Sequence, residues 1–378
     1  MLKRVMLAHI NITTGHKKAA QAIHKTLKLT HPEVNVLEID PVGHFYPVIE
    51  KSIEKIYIGV LKTNPDIWDY VYDNEKITKS TAMIRQVFNS LNSIRLNKIF
   101  TSFNPQAVVC THAFACGMFS ALKERKADSF SLIGVITDFD VHNYWVYKNV
   151  TNYIVANDYT SKKLQEKGID EERIKVLGIP VDPKFTEDKD ITTLKKKHGL
   201  KEDLPTVLVM GGGWGFGPIE KVVYYLNELQ DIEFQIIAVA GTNKELVLKL
   251  RELSANLPKL VKVFGYVDFV DELMKISNIF IGKPGGMTSA ESLACGLPMI
   301  IINPIPGQEE RNTRYLTSEG VAIKANNELE TSKIISDLLT QPHRLNEMRN
   351  RILEINKPKA AFNTIKAIED SIYTGHCH

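Results

Sequence analysis

The sequence predicts an α/β fold made of two Rossmann-like domains, each built on a parallel sheet. First, short apolar runs alternate with helical spacers along most of the chain, the rhythm of successive βαβ units. Second, that rhythm breaks once, at Gly178-Ile179-Pro180-Val181-Asp182-Pro183 and the charged stretch from Glu187 to Lys197, which read as a linker. Third, 378 residues are long for one core and comfortable for two domains of about 150 to 200 residues. The expected division is a domain over residues 1–183, a linker over 184–203, a second domain over 204–356 and a terminal segment over 357–378.

Taken in order, the strand-like runs of the first half are Val5 to Ile10, Val34 to Ile39, Ala107 to Thr111, Leu132 to Thr137, Tyr153 to Ala156 and Ile174 to Leu177. Those of the second half are Val207 to Met210, Gln235 to Val239, Val261 to Phe264, Ile279 to Ile281, Met299 to Ile302 and Val321 to Ile323. After the first strand, Ala19, Ala22, Ile23 and Leu27 have helical spacing, which puts His16 near the start of the first helix. A neutral imidazole there can act as a general base, because the positive helix end lowers its pKa; a capping or surface histidine is the plainer alternative.

Between Pro41 and Leu96 no strand signal occurs and aromatic residues are frequent, Tyr57 and Trp68 among them. Ile49, Ile53, Ile56 and Val60 fall on one helical face with Lys51, Lys55 and Lys62 elsewhere, a pattern that suits an interfacial helix and equally a helix packed on its own sheet. His112 follows the third strand. Asp138, at the end of the fourth, could orient His16 or cap the next turn. Trp145 offers a flat apolar face to a ligand, or fills the core.

In the second half, Val207 to Met210 runs into Gly211-Gly212-Gly213-Trp214-Gly215-Phe216-Gly217, whose glycines let backbone N–H groups approach a pyrophosphate. A dinucleotide fold is disfavoured, because the next strand ends Val239-Ala240-Gly241 without the acidic residue expected there. The run Ile279 to Ile281 breaks at Lys283-Pro284-Gly285-Gly286, and a helix is expected to restart at Thr288 and to end at Gly296 and Pro298. A strand, glycine turn and helix in that order leave unpaired N–H groups and a positive dipole end at the turn, which is an anion cradle. The next strand brings Pro304, Pro306, Gly307, Gln308, Glu309 and Glu310 to the same sheet edge. Thr288 to Glu291 also fits a capping box, which would employ Glu291 structurally.

Composition narrows the function classes. The hydrophobic share of 44% and charged share of 24% are those of an ordinary soluble protein, and a net charge of +3 argues against nucleic acid as the main partner. The first 200 residues are basic and the remainder slightly acidic, which would suit an anionic surface. No apolar run approaches the roughly 18 to 20 residues needed to span a bilayer, and no leader pattern opens the chain. A cytoplasmic protein, or one peripheral on the cytosolic membrane face, is expected. Cys110, Cys116, Cys295 and Cys377 are too scattered for a zinc site and are expected as reduced thiols.

The stretch Gly285-Gly286-Met287-Thr288-Ser289-Ala290-Glu291, continuing through Pro306-Gly307-Gln308-Glu309-Glu310-Arg311-Asn312, resembles the nucleotide-sugar signature of glycosyltransferase family 28. The likeness is greatest to the branch of bacterial processive diacylglycerol glucosyltransferases and plant galactosyldiacylglycerol synthases. Gly15-His16-Lys17-Lys18-Ala19-Ala20 is similar to that family's Gly-His motif, although Asn11 to Thr14 stand where relatives carry a more glycine-rich turn. Thr137-Asp138-Phe139, followed by His142 and Trp145, resembles its Thr-Asp-Phe turn. Near His112, Ala113 stands where relatives often have Pro and Cys116 where plant relatives have Gln, which loosens any tie to anionic lipid.

The resemblance implies a GT-B architecture, two domains facing a central cleft, with a last helix, Ala360 to Tyr373, crossing back to the first domain. It implies a UDP-sugar donor bound by Gly212, Gly213, the backbone around Phe264 and Tyr266, Gly285, Gly286, Thr288, Glu291 on ribose, and Gln308 and Glu309 on the sugar, with Asn312 supporting that loop. His16 would be the base and Asp138 its partner, with acceptor and lipid near His112, His142, Trp145 and Tyr57. No cofactor or metal is expected: Asp138-Phe139-Asp140 has the spacing of a metal-binding triplet but matches the Thr-Asp-Phe turn instead. The expected partners are a UDP-hexose, diacylglycerol and a membrane surface. The expected activity is inverting, metal-independent transfer of a hexose to diacylglycerol, with further rounds of addition conceivable. A transferase of UDP-N-acetylglucosamine to a polyprenyl-linked cell-wall precursor and a non-catalytic UDP-sugar sensor are the alternatives. Glucose against galactose, the number of sugars added, anionic-lipid dependence and oligomeric state are not written in the sequence.

Overall fold

Short runs of Val, Ile, Leu and Ala form strands here because both of their faces are covered, the condition under which parallel sheets exist. The structure, a computed structural model, describes residues 2–11, 14–46, 82–126 and 130–374. The helix expected around Ile49 to Val60, Tyr57 included, lies outside those residues. The chain divides into two compact units, one of Met1–Pro183, Pro306–Gln308 and Lys357–His378, the other of Lys184–Ile305 and Glu309–Asn356.

The first unit is built on β1 (Arg4–Ala8), β2 (Asn35–Ile39), β3 (Ala107–Cys110), β4 (Ser131–Val135), β5 (Asn152–Val155) and β6 (Ile174–Val176), arranged in the order β2-β1-β3-β4-β5-β6. Every neighbouring pair is parallel. Ala8 on β1 stands opposite Ile39 on one side and Cys110 on the other. Its helices include α1 (Thr14–Thr30), α2 (Pro41–Phe45), α3 (Ala82–Phe103), α4 (Ala113–Arg125) and α5 (Asp158–Glu166).

Successive strand residues point to opposite faces, and the two cores of this unit follow that period of two. Met6, Ala8, Val108, Cys110 and Leu132 join Leu96 and Phe100 of α3 and Met118, Phe119 and Leu122 of α4. Val5, Leu7, Val109, Ile133 and Val135 join Ala20, Ile23 and Leu27 of α1 and, from the far end of the chain, Ile365, Ile368 and Ile372. The last helix, Ala360–Thr374, thus packs in the first unit, where the Ser131 hydroxyl donates to the Ser371 carbonyl at 2.8 Å.

The second unit repeats the plan with β7 (Thr206–Met210), β8 (Gln235–Val239), β9 (Val261–Phe264), β10 (Ile279–Gly282), β11 (Met299–Ile302) and β12 (Ala322–Ala325), in the order β12-β11-β10-β7-β8-β9 and again all parallel. Its helices are α6 (Ile191–Lys197), α7 (Ile219–Asn227), α8 (Lys244–Ala255), α9 (Val270–Lys275), α10 (Gly286–Ala294), α11 (Gln308–Ser318), α12 (Glu328–Thr340) and α13 (Pro342–Ile355). Residues 184–203, read from the sequence as linker, are folded onto this unit. Asp190 caps α6 through the N–H groups of Thr192 and Thr193. The buried carboxylate of Asp271 on α9 pairs with Lys184 at 2.8 Å and with Lys189, and Glu272 pairs with Lys197 at 2.7 Å and His198 at 2.8 Å.

Candidate active site

Each sheet reverses its strand order once, in the first between β1 and β3 and in the second between β7 and β10. At such a reversal the two flanking loops run off in opposite directions and leave a crevice beyond the carboxyl ends of the strands, where open α/β sheets bind ligands. The loops at the first reversal carry His16 and His112. Those at the second carry the glycine run 211–217 and Gly285-Gly286. His16, His112 and the two glycine turns therefore fall at the positions that topology alone would select, while Asp138 follows β4, Phe264 ends β9, and Gln308 and Glu309 follow β11.

In the first unit, His16 sits in the opening turn of α1, half-buried. Its Nδ1 is 2.8 Å from the Thr111 carbonyl oxygen and 2.9 Å from the Thr137 hydroxyl. Among the described residues no atom bonds Nε2. Loss of water around the ring pushes its pKa down to about 4, the Thr111 carbonyl opposes that shift, and His9 adds to it. His16 is thus neutral at physiological pH. After β1, the Asp40 carboxylate accepts from the Asn11 N–H at 2.8 Å while capping α2 through Val42 and Gly43. Asp40 was missed in the sequence, although Asp before Pro at a helix start is a readable cap.

His112 is the N-cap of α4: its Nδ1 accepts from the Phe114 N–H at 3.1 Å, and its ring meets His16 edge to face with centroids 4.5 Å apart. Burial holds His112 well below the usual histidine range, helped by His16, His142 and His9. From His112 the rings continue outward. Phe114 stacks on His112 at 5.5 Å, Tyr144 lies 6.2 Å from Phe114, and His142 lies 5.5 Å from Tyr144.

Of the two readings of Trp145, ligand face or core, the structure shows the core: the indole is 2% exposed and its Cζ3 would lie 3.5 Å from a Cβ placed on Gly134, so it is not a face open to the acceptor. Phe114, 40% exposed, and the half-buried Tyr144 present rings instead. Asp138 is buried at the end of β4, and the bonds that fix the near side of the His16 ring come from Thr111 and Thr137. Asp140 is clasped by Lys163 at 2.7 Å, so the Asp-Phe-Asp spacing does not present two carboxylates together. Among the described residues no three His, Cys, Asp or Glu side chains gather as metal ligands would.

In the second unit, α10 begins at Gly286, two residues before the position expected, with Gly285 as N-cap and no side chain closing the turn. Thr288 is consequently the third residue of the helix and cannot be the cap of a capping box, and Glu291 lies beyond the first turn, buried. The first intrahelical bond is Ser289 N–H to Gly285 carbonyl at 2.9 Å, so the N–H groups of Gly286, Met287 and Thr288 start the helix without helical acceptors. A Cβ on Gly285 would meet nothing within 4 Å, which leaves open space over that end.

Beside it, Gly212 and Gly215 adopt φ of +69° and +65° after β7, and Gly241 at +57° closes against the Gly213 carbonyl. The half-buried Phe264 packs its ring 6.0 Å from His198 and 5.8 Å from Phe269, while Tyr266 is 66% exposed. The segment read as a polar loop turns helical at Gln308, because Gly307 at φ +88° redirects the chain. Glu309 reaches back to the Ile305 N–H at 2.7 Å and to Lys283 at 3.4 Å. Asn312, fully buried, donates to the Pro284 carbonyl at 3.0 Å and so ties α11 to the turn that precedes α10.

Comparison with known proteins gives the same division. Residues 16–181 match the profile described as monogalactosyldiacylglycerol (MGDG) synthase, and residues 190–357 match glycosyl transferases group 1. The chain is 28% identical over 357 residues to the processive diacylglycerol beta-glucosyltransferase of Bacillus pumilus, covering 94% of this chain and 91% of that protein. Identity to the enzyme of the same name from Bacillus subtilis is also 28%, with 94% and 91% covered. Among solved structures, UDP-GlcNAc 2-epimerase of Neisseria meningitidis bound to UDP-GlcNAc superposes with a TM-score of 0.63 at 14% identity, covering 98% of this chain and all of that one. MurG of Acinetobacter baumannii does so with a TM-score of 0.61 at 13% identity, covering 97% and 99%. At such identities the likeness bears on fold, and the fold is GT-B. Both halves matched by transferase profiles and nearly the whole length matched by diacylglycerol glucosyltransferases place this chain in the diacylglycerol glucosyltransferase and monogalactosyldiacylglycerol synthase branch of glycosyltransferase family 28.

Proposed function

We propose that this chain transfers a hexose from a UDP-sugar to the hydroxyl of diacylglycerol, with inversion and without a metal ion. The observation that carries the reading is His16, a neutral imidazole at the first strand-order reversal with Nδ1 engaged and Nε2 unbonded among the described residues. That is the state a general base needs before it acts. The MGDG synthase profile over residues 16–181 supports a diacylglycerol acceptor, and the names of the Bacillus relatives support glucose as the sugar and repeated addition.

In this reading the acceptor O–H gives its proton to His16 Nε2 while its oxygen attacks the anomeric carbon. The bond from that carbon to UDP breaks on the opposite face, and the β-phosphate keeps the electron pair. The N–H groups and dipole at the start of α10 meet that charge, over Gly285, Gly286 and Thr288, with Gly212 and Gly213 beside the pyrophosphate. Glu291 holds ribose, the backbone of Phe264 and Tyr266 holds uracil, Gln308 and Glu309 hold the sugar, and Asn312 fixes the turn. Asp138 stabilises the imidazolium. Phe114 and Tyr144, with His112 and His142, form the wall along which the acceptor lies. The acceptor is a lipid, so the protein works as a peripheral protein at the cytosolic membrane face; no helix among the described residues is long and apolar enough to cross a membrane.

Transfer assays with UDP-glucose, UDP-galactose and UDP-N-acetylglucosamine, each with diacylglycerol micelles, with a polyprenyl-linked acceptor or with none, and each with and without EDTA, test the reading. Hexose transfer to diacylglycerol that survives EDTA is expected, and His16→Ala should lower kcat by roughly 10²- to 10⁴-fold while binding UDP-sugar normally. Transfer only of N-acetylglucosamine to the polyprenyl acceptor, binding without any transfer, or an absolute need for a divalent ion would each overturn it.

A further inference from the structure

We infer that Thr111 is a positioning residue that fixes both the place and the tautomer of His16, so that Nδ1 carries the proton and Nε2 is bare. The chemistry around Nδ1 permits one answer. A carbonyl oxygen accepts hydrogen bonds and cannot donate, so the 2.8 Å approach of the Thr111 carbonyl to Nδ1 requires a hydrogen on Nδ1. The Thr137 hydroxyl at 2.9 Å from the same nitrogen would suit either tautomer, since a hydroxyl both donates and accepts. The carbonyl decides, and the hydroxyl becomes a second acceptor for the same N–H. In a neutral imidazole the other nitrogen is then the lone-pair atom.

Thr111 also holds His16 by its backbone. Its hydroxyl donates to the His16 carbonyl at 2.8 Å, so one residue grips the histidine at the main chain and at the ring. Thr111 is fully buried, which keeps water from replacing either bond. Its own N–H donates to the Ala8 carbonyl at 3.0 Å, continuing the β1–β3 ladder. The orientation of the deciding carbonyl is therefore set by the sheet, and the proton on His16 is placed by the pairing of two strands. The groups around the ring do not compete for that proton. His112 uses its Nδ1 to accept from the Phe114 N–H, and His9, buried after β1, is itself held below the usual histidine range by burial.

The catalytic meaning rests on the transferase reading, whereas the proton assignment does not, and the test separates them. The full chain is labelled with ¹⁵N-histidine and long-range ¹H–¹⁵N spectra are recorded at pH 7, His16→Gln identifying the resonances by their loss. A protonated Nδ1 and a bare Nε2 on His16 are expected; a proton on Nε2 overturns the inference without reference to any substrate. Thr137→Val should leave that tautomer in place, and a switch would show that the hydroxyl and not the carbonyl decides. Thr111→Val, which loses the bond to the His16 backbone, should lower kcat roughly tenfold with KM for the UDP-sugar unchanged, and Thr111→Ser should restore it. A Thr111→Val enzyme with wild-type kcat would remove the positioning role. A wild-type protein with the expected tautomer and no transfer to any acceptor would keep the proton assignment and overturn the diacylglycerol reading.

Discussion

At the scale of single residues, His16 couples stability and activity to pH in one direction. In the unfolded chain a histidine binds its proton near 6.5, while in the fold His16 resists protonation down to about 4. Between those values the unfolded state holds more protons than the folded one, so the stability that depends on a neutral His16 is complete above about pH 6.5 and is lost as pH falls through the folded value. His9 and His112, whose pKa values are also lowered by burial, add in the same sense. The acid limb of kcat/KM should accordingly lie well below pH 6.5, and melting temperature should fall more steeply over this range in the wild type than in His16→Gln. A pH–rate profile with its limb at 6.5 would show a ring in contact with water. The position of His16 at the start of the first helix was legible in the sequence, because a Gly-His pair ahead of a helix is a local pattern. Its partners were not: Thr111 and Thr137 lie 95 and 121 residues away, and no periodicity reports which carbonyl faces which ring. Trp145 stayed open between core and binding wall for a related reason, since a large aromatic residue suits both until its neighbours are known, and here they place it in the core.

At the scale of elements, the start of α10 shows how small an error of register matters. The sequence put the start of this helix at Thr288, where Ser, Thr and Glu mimic a capping box, and the fold put it at Gly286 because the preceding strand runs to Gly282 and leaves only three residues for the turn. That shift frees the first-turn N–H groups from any side-chain cap. The two kinds of glycine in this unit can then be told apart experimentally. Gly285 has φ −61° and open space above it, so Gly285→Ala should cost at most about 1 kcal/mol and yet weaken UDP binding roughly tenfold by standing where the anion approaches. Gly241 has φ +57° and backs onto the Gly213 carbonyl, so Gly241→Ala should lower stability itself, by of order 1–3 kcal/mol. Thermal denaturation and UDP titration of both variants check the contrast; equal losses of stability would mean that Gly285 is structural.

At the scale of the whole molecule, alternation of apolar runs and helical spacers was enough to find both sheets, since a strand buried on both faces announces itself by composition alone. The order of strands was not written there. Nothing local tells β3 to pair on the far side of β1, and yet that choice is what opens the crevice holding His16. The membership of residues 184–203 in the second unit was hidden for the same reason, their lysines meeting Asp271 and Glu272 only once α9 is in place. The last helix carries a prediction at this scale. Ile368 is fully buried among strand residues more than 200 positions earlier, so Ile368→Ala should cost about 2–5 kcal/mol in denaturant unfolding of the first unit, the loss expected of a core isoleucine. An unfolding midpoint unchanged from wild type would show the helix to be dispensable there.

The placement of that helix also fixes an order of events during synthesis. Once residue 356 has left the ribosome, the second unit possesses every segment it is made of. The first unit, though translated earlier, has one face of its sheet covered only in part, by Ala20, Ile23 and Leu27 of α1, until Ile365, Ile368 and Ile372 arrive. Domains usually mature in the order in which they are made. Here the half that is made first is completed last, and the apolar surface it still exposes is what a chaperone would meet in the interval.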